Sequence, residues 1–260
     1  MIEGITLEKK EGYAILKVDI PSTRNALSVP IVEYMDSLVE EVKADSSIRA
    51  LVLTGGGEKS FIAGADISGL VKMSPEESRY SIEVGHKLFT KIETLDIPVV
   101  AAINGYCLGG GLEIAMCCDI RVCSANAKFG QPEINIGMIP GWGGTLRLAR
   151  LIGESRAKNM ILRGRMITSK EAFDYGLIAE VYDDVATLRE KAEEMARELA
   201  SKAPLTMKFD KRLIYDAANK QPTDIAQRDA MTLGFLFTTH DAIEGLTAFL
   251  EKRPPKYEGR

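Results

Sequence analysis

Along the first half of the chain, short apolar runs alternate with segments whose apolar residues recur every three or four positions. Residues 13–19 (YAILKVD) place Ala14, Leu16 and Val18 on one face, the two-residue period of a strand. The following PSTRNALS is rich in turn formers. Ser28 is positioned to cap a helix with Pro30 in its first turn, and Ile31, Tyr34, Met35, Leu38, Val39 and Val42 predict its buried face. Residues 50–54 (ALVLT) predict a short buried strand, and GGGEKSFIAGAD after it reads as a glycine-rich loop. Ser74-Pro75-Glu76-Glu77 is a capping box that predicts a helix running to about Leu95. Residues 98–103 (PVVAAI) form a continuous apolar run, the signature of a strand buried on both faces. NGYCLGGG interrupts it, a helix is predicted over 112–117, and a strand over 120–123. Beyond FGQPE and GMIPGWGG the chain reads as helical from about Thr145, apart from a strand at 177–182. Val185, Leu188, Ala192, Met195, Ala196 and Leu199 share one helix face, and the tail KRPPKYEGR reads as extended and exposed.

Short strands separated by helices or long loops predict an α/β fold with right-handed crossovers. There is no fixed-period repeat and no Ser/Gly-rich linker, which predicts an α/β core over 1–200 followed by a helical region over 201–260. A length of 260 residues, 45% hydrophobic and 27% charged, excludes a disordered chain. The formal net charge of −4 argues against a nucleic-acid binder that relies on phosphate neutralisation. The longest apolar run, 97–103, is far short of the roughly 20 residues of a membrane span. The N-terminus MIEGITLEKK lacks the apolar stretch of a signal peptide. Cys107, Cys117, Cys118 and Cys123 lie in or beside apolar segments, pointing to buried thiols in a reducing cytoplasm. With two histidines and no CxxC or HExxH pattern, no metal is expected, and His86 and His240 read as surface or packing residues.

Three segments carry candidate chemistry: FIAGAD (61–66), NGYCLGGGLE (104–113) and FGQPE (129–133). In the second, a buried strand runs into three glycines and a helix start. Glycine lets the backbone approach a ligand closely, and the N–H groups of a helix start favour negative charge. Such donors can stabilise an oxyanion. Glu113 follows Gly110 by three residues, so it lies one turn on and tilts back toward the helix start. The plainer alternatives stay open at this level: a tight turn at Gly109–Gly111 with an exposed acid after it, Asp66 as a helix cap, and Glu133 as a solvated loop acid. GGGE at 55–58 lacks the ending of a phosphate loop, and no G-x-S-x-G elbow occurs.

Taken together, FIAGADI, NGYCLGGGLE, FGQPE and IPGWGGTLRL, in this order and spacing, resemble the crotonase (enoyl-CoA hydratase/isomerase) superfamily, in particular its enoyl-CoA hydratases. The resemblance runs from IPSTRNAL at 20–27 to TAFLEKR at 247–253. It implies an α/β fold, a spiral of repeated ββα units with a helical C-terminal trimerisation region, assembled as a homotrimer or as a hexamer of paired trimers. It implies reversible hydration of a short-chain trans-2-enoyl-CoA, with no cofactor beyond the coenzyme A of the substrate and neither nucleic acid nor membrane as partner. Carried onto this chain, the oxyanion-hole donors are the backbone N–H groups of Ala63 and Gly110, and the catalytic carboxylates are Glu113 and Glu133. Glu113 is assigned to water activation and Glu133 to proton delivery at C2, with the water bonded to both. Ala63, Gly64, Ala65, Asp66 and Ile67 border coenzyme A mainly through backbone groups, and Asn25, Ala26 and Leu27 match the nucleotide-side turn.

Some positions depart from the family pattern. Ile20 and Ser68 stand where relatives often carry Arg and Lys, with Arg24 and Lys59 as substitute cations. Trp142, the sole Trp, replaces a small residue or Phe; it reads either as a packing residue or as a wall limiting acyl length. Lys252 reads either as a ligand to a neighbouring subunit's coenzyme A or as a solvated helix end. An isomerase, a branched or cyclic enoyl-CoA hydratase and an acyl-CoA hydrolase are the rival activities, and a non-catalytic RNA-binding relative is the rival from another class.

Overall fold

The computed structural model describes residues 2–217 and 222–260. Its strands are β1 (Ile5–Lys9), β2 (Ala14–Val18), β3 (Leu51–Gly55), β4 (Ser60–Ile62), β5 (Val99–Ile103), β6 (Tyr106–Leu108), β7 (Ile120–Ser124), β8 (Lys128–Gly130), β9 (Met166–Thr168) and β10 (Glu180–Tyr182). The helices are α1 (Val29–Ala44), α2 (Ile67–Leu70), α3 (Pro75–Glu93), α4 (Gly110–Cys117), α5 (Gly144–Ile152), α6 (Glu154–Leu162), α7 (Ser169–Asp174), α8 (Val185–Ala200), α9 (Pro204–Ala217), α10 (Pro222–Leu236) and α11 (His240–Glu251).

Two sheets result. The first has the order β1-β2-β3-β5-β7-β10, parallel except for the β1–β2 pair. The second has the order β4-β6-β8-β9, parallel except for β8–β9. Each long apolar strand from β3 to β7 is followed by a three-residue strand, so β3/β4, β5/β6 and β7/β8 each give one strand to each sheet. This is the spiral of ββα turns.

The double-sided apolar runs follow from packing on both faces of the first sheet. Leu51, Leu53, Val99, Ala101 and Ile103 face a core shared with α1, α3 and α4. Val52, Val100, Ala102 and Val122 face Leu188, Ala192 and Ala196 of α8. The capping box at Ser74 is present, with reciprocal bonds between Ser74 and Glu77. Ser28 differs from expectation: it stands at the N-cap of α1, but its side chain makes no capping bond. The α3 helix stops at Glu93, and Leu95 is buried just beyond it. The predicted strand at 177–182 shrinks to β10, because Leu177 and Ile178 fill the core from the turn before it. The tail is tied down rather than merely extended: Asp241 accepts the N–H groups of Glu258 and Gly259, each at 2.8 Å. Lys211 of α9 reaches the core at Asp119 (2.7 Å) and the Ile97 carbonyl (3.1 Å). No helix among the described residues is long and apolar enough to cross a membrane.

Candidate active site

The second sheet positions the site. The α4 helix follows directly from β6 and lies against β4 so closely that a β-carbon on Gly111 would sit 1.9 Å from the Ile62 carbonyl oxygen. No other residue fits there. Glu113 N–H closes the first turn onto the Gly109 carbonyl (2.9 Å), so the N–H groups of Gly110, Gly111 and Leu112 have no intrahelical acceptor.

Glu113 follows in the first turn of α4 and is only 2% exposed. Its Oε1 accepts two backbone N–H bonds, from Trp142 and from Gly144, each 2.8 Å. Burial pushes its carboxyl up to about 7, against the downward pull of those N–H groups and of Arg147; the Glu133 charge adds to the rise. Glu133 opens the 3-10 turn Glu133–Ile136 just after β8. It is half-buried, and burial raises its carboxyl as well. Its Oε1 reaches the glycine turn: a β-carbon on Gly109 would lie 3.0 Å away. Burial thus raises both carboxyls, and the Glu133 charge adds to the rise at Glu113.

Both acids line one cavity of about 260 Å³, together with Ala63, Gly64, Gly110 and Trp142. Its remaining wall is largely apolar, including Leu70, Ile82, Ile136 and Ile139. Trp142 is 6% exposed, and its indole fills space left by two glycines. A β-carbon would meet the ring at 2.4 Å from Gly110 and at 2.1 Å from Gly85 of α3. The ring stands edge-on to Phe89 at 5.4 Å and donates Nε1–H to the Ser81 carbonyl at 3.2 Å. The four cysteines are buried free thiols; burial raises each, Cys118 and Cys123 to about 12.

Of the positions singled out in the sequence, Ala63, Gly64, Ala65, Ile67, Gly110, Glu113, Glu133 and Trp142 meet at this cavity. Others fall elsewhere. Asn25 and Leu27 are buried, and the Asn25 side chain is used internally: it accepts from Ile20 N–H (2.7 Å) and donates to the Ser60 and Phe61 carbonyls (3.0 Å each). The 25–27 turn instead pairs with the cavity edge, through Leu27 N–H to Gly64 and Asp66 N–H to Leu27. Ala26 is part of that turn and does not line the cavity. Asp66 caps α2, accepting from Ser68 N–H at 3.0 Å. Lys252 ends α11 in a left-handed conformation, exposed and away from the cavity. The Ala63 N–H, expected to point at a ligand, donates to the Arg24 carbonyl at 3.2 Å. Sequence reasoning missed Gly144 and Arg147, whose roles depend on contacts between α4, α5 and the 140–144 loop. It also missed Ser81 and Ile82, which the capping-box helix brings to the cavity wall.

A two-sheet spiral with two carboxyls on one cavity, beside the N–H groups of a helix start, is the arrangement expected of the crotonase superfamily. The whole chain agrees: residues 8–260 match the family described as enoyl-CoA hydratase/isomerase, and the chain belongs to that family. It is 41% identical over 258 residues to a short-chain-enoyl-CoA hydratase of Clostridium acetobutylicum, covering 99% of this chain and 98% of that one. It is also 41% identical to a crotonyl-CoA hydratase of Syntrophomonas wolfei, with 98% of each covered. The crystal structure of an enoyl-CoA hydratase from Bacillus anthracis superposes with a TM-score of 0.95 at 35% identity, covering 99% of this chain and 100% of that one.

Proposed function

We propose that the protein is an enoyl-CoA hydratase that adds water reversibly, in the syn sense, across the double bond of a short-chain trans-2-enoyl-CoA to give the 3-hydroxyacyl-CoA. The observation that carries this reading is the pairing of Glu113 and Glu133 on one cavity, one of them pinned through a single oxygen by two backbone N–H groups.

The thioester carbonyl sits at the start of α4 and accepts from Gly110 N–H. Ala63 N–H is the second donor and gives up or shares its long bond to the Arg24 carbonyl when the substrate arrives. Charge builds on that oxygen as the enolate forms, so donors already in place favour the transition state over the ground state. Both N–H bonds to Glu113 fall on Oε1, which leaves Oε2 for the water. Glu113 takes a proton from the water as its oxygen bonds to C3, and Glu133 delivers a proton to C2. In dehydration the same groups act in reverse. The reaction needs no group beyond these residues and the substrate's own coenzyme A.

The backbone from Ala63 to Ile67 borders coenzyme A, with the 25–27 turn fixed behind it and the exposed Arg24 and Lys59 on the phosphate side. Trp142 closes the acyl end and favours short chains. Residues 201–260 form the oligomerisation region. Met231, Phe237, Phe249 and Leu250 lie on its exposed surface, which suits burial against other copies in a trimer and in a pair of trimers. Buried free thiols suit a reducing cytoplasm.

The test is the loss of conjugated thioester absorbance with crotonyl-CoA, with the product identified. Wild type should give 3-hydroxybutyryl-CoA, and Glu133→Gln should lose about 10²- to 10⁴-fold in kcat. A non-conjugated isomer or free coenzyme A as the product, or a Glu133→Gln enzyme within a few-fold of wild type, would sink the reading.

A further inference from the structure

We propose that the buried Arg147–Glu93 pair is the positioning device of Glu113, acting through the backbone of residues 142–144; this rests on the reading of Glu113 as the group that activates water. Arg147, on α5, is 9% exposed. Its Nε and Nη2 grip the Glu93 carboxylate at the end of α3, with contacts of 3.1, 3.2 and 2.6 Å. Its remaining arm, Nη1, donates to the Trp142 carbonyl at 2.8 Å. The same short segment turns its Trp142 and Gly144 N–H groups the other way, onto Glu113 Oε1. The segment is therefore held from one side by the guanidinium and holds the carboxylate on the other. Gly143 makes the reversal possible: its φ is +94°, and a β-carbon there would lie 2.3 Å from Arg147 Nη1.

The chemistry of the pair explains why these residues serve. A guanidinium engages a carboxylate with two arms and keeps a third donor in a fixed direction; an ammonium lacks that fork. A cation at this depth needs Glu93, because a lone buried charge is strongly destabilising. Arg147 also faces Glu113 electrostatically and opposes the rise that burial and Glu133 impose. The other titratable groups near Glu113 are Cys117 of α4 and, behind Arg147, Glu93 of α3 and Tyr215 of α9; the exposed His86 of α3 approaches Gly143.

The experiment compares wild type, Arg147→Lys and the double variant Glu93→Gln/Arg147→Met, which removes both charges of the pair together. Two readouts are taken: kcat and KM with crotonyl-CoA, and the titration of the Glu113 carboxyl by ¹³C NMR, assigned by its loss in Glu113→Gln. The double variant should lose about ten- to a hundredfold in kcat, the scale of a small misplacement of a reacting group, with KM within twofold. Its Glu113 should titrate at higher pH than in wild type. Arg147→Lys should lose kcat similarly while the titration stays near that of wild type, separating position from charge. A double variant with unchanged kcat and unchanged titration overturns the proposal. If that variant does not fold, an Arg147→Lys enzyme with wild-type kcat overturns it instead. A wild type inert on crotonyl-CoA refutes the hydratase reading itself; a double variant that loses kcat beside an Arg147→Lys enzyme that keeps it overturns the positioning role within that reading, because charge alone then suffices.

Discussion

Glu113→Gln should leave the protein nearly inactive and yet more stable, with the gain present only at neutral pH and above. The reasoning starts from burial. The carboxyl is 2% exposed and is displaced from its ordinary 4.5 to about 7. A group whose pKa is raised on folding binds its proton more tightly in the native state. Below about 4.5 both states are protonated and the site carries no ionic penalty. Between 4.5 and about 7 the unfolded chain releases its proton first, so stability falls as pH rises. Above 7 the penalty is constant, at about 3 kcal/mol for a displacement of this size. Gln retains an oxygen to accept the Trp142 and Gly144 N–H bonds and removes the charge. The variant should therefore match wild type near pH 4.5 and exceed it by about 3 kcal/mol at pH 8, or about 6–10 °C in melting temperature for a chain of this size. Urea unfolding followed by circular dichroism, at pH 4.5 and pH 8 and at one fixed protomer concentration, measures both increments. The reasoning fails if the variant is no more stable at pH 8, or if the increment is the same at both pH values. The same variant should lose about 10²- to 10⁴-fold in crotonyl-CoA hydration.

Two further outcomes test the walls of the site. Trp142→Ala should raise activity on hexenoyl- and octenoyl-CoA relative to crotonyl-CoA; an unchanged chain-length profile would remove the indole as the limit on the acyl pocket. Because that ring also packs on Gly110, the crotonyl rate itself should fall, through a looser helix start. Asn25→Ala should cost about 2–4 kcal/mol by denaturant unfolding, since it strips three bonds from backbone groups, two of them fully buried, and leaves an alanine at a φ of +63°. A loss of under 0.5 kcal/mol would show that the turn does not depend on this side chain.

What the sequence determined on its own is the middle of the first sheet, from β2 to β7, and the helices packed on it; β1 left no pattern that was read, and the chemistry-bearing residues were legible as candidates. A five-residue apolar strand or a capped amphipathic helix leaves its period in the chain, and β3, β5, α1 and α3 all fall where the pattern places them. The carboxylates Glu113 and Glu133 were legible because glycine-rich and proline-containing segments surround them in a spacing that resembles one family. The second sheet was not legible. Its strands β4, β6, β8 and β9 are three residues each, too short to show any alternation, and three of them lay within stretches that read as glycine-rich or polar loop. Only the tertiary structure decided that these pieces pair, because their order comes from backbone hydrogen bonds between segments remote in sequence. It also decided that Asn25 is a buried brace, that the Ala63 N–H is engaged by Arg24, and that Trp142, Gly144 and Arg147 form the frame around Glu113. A residue's type states which proton or hydrogen bond it can handle; the depth of burial and the partners that fix its pKa and direction come from chain segments that local pattern does not bring together.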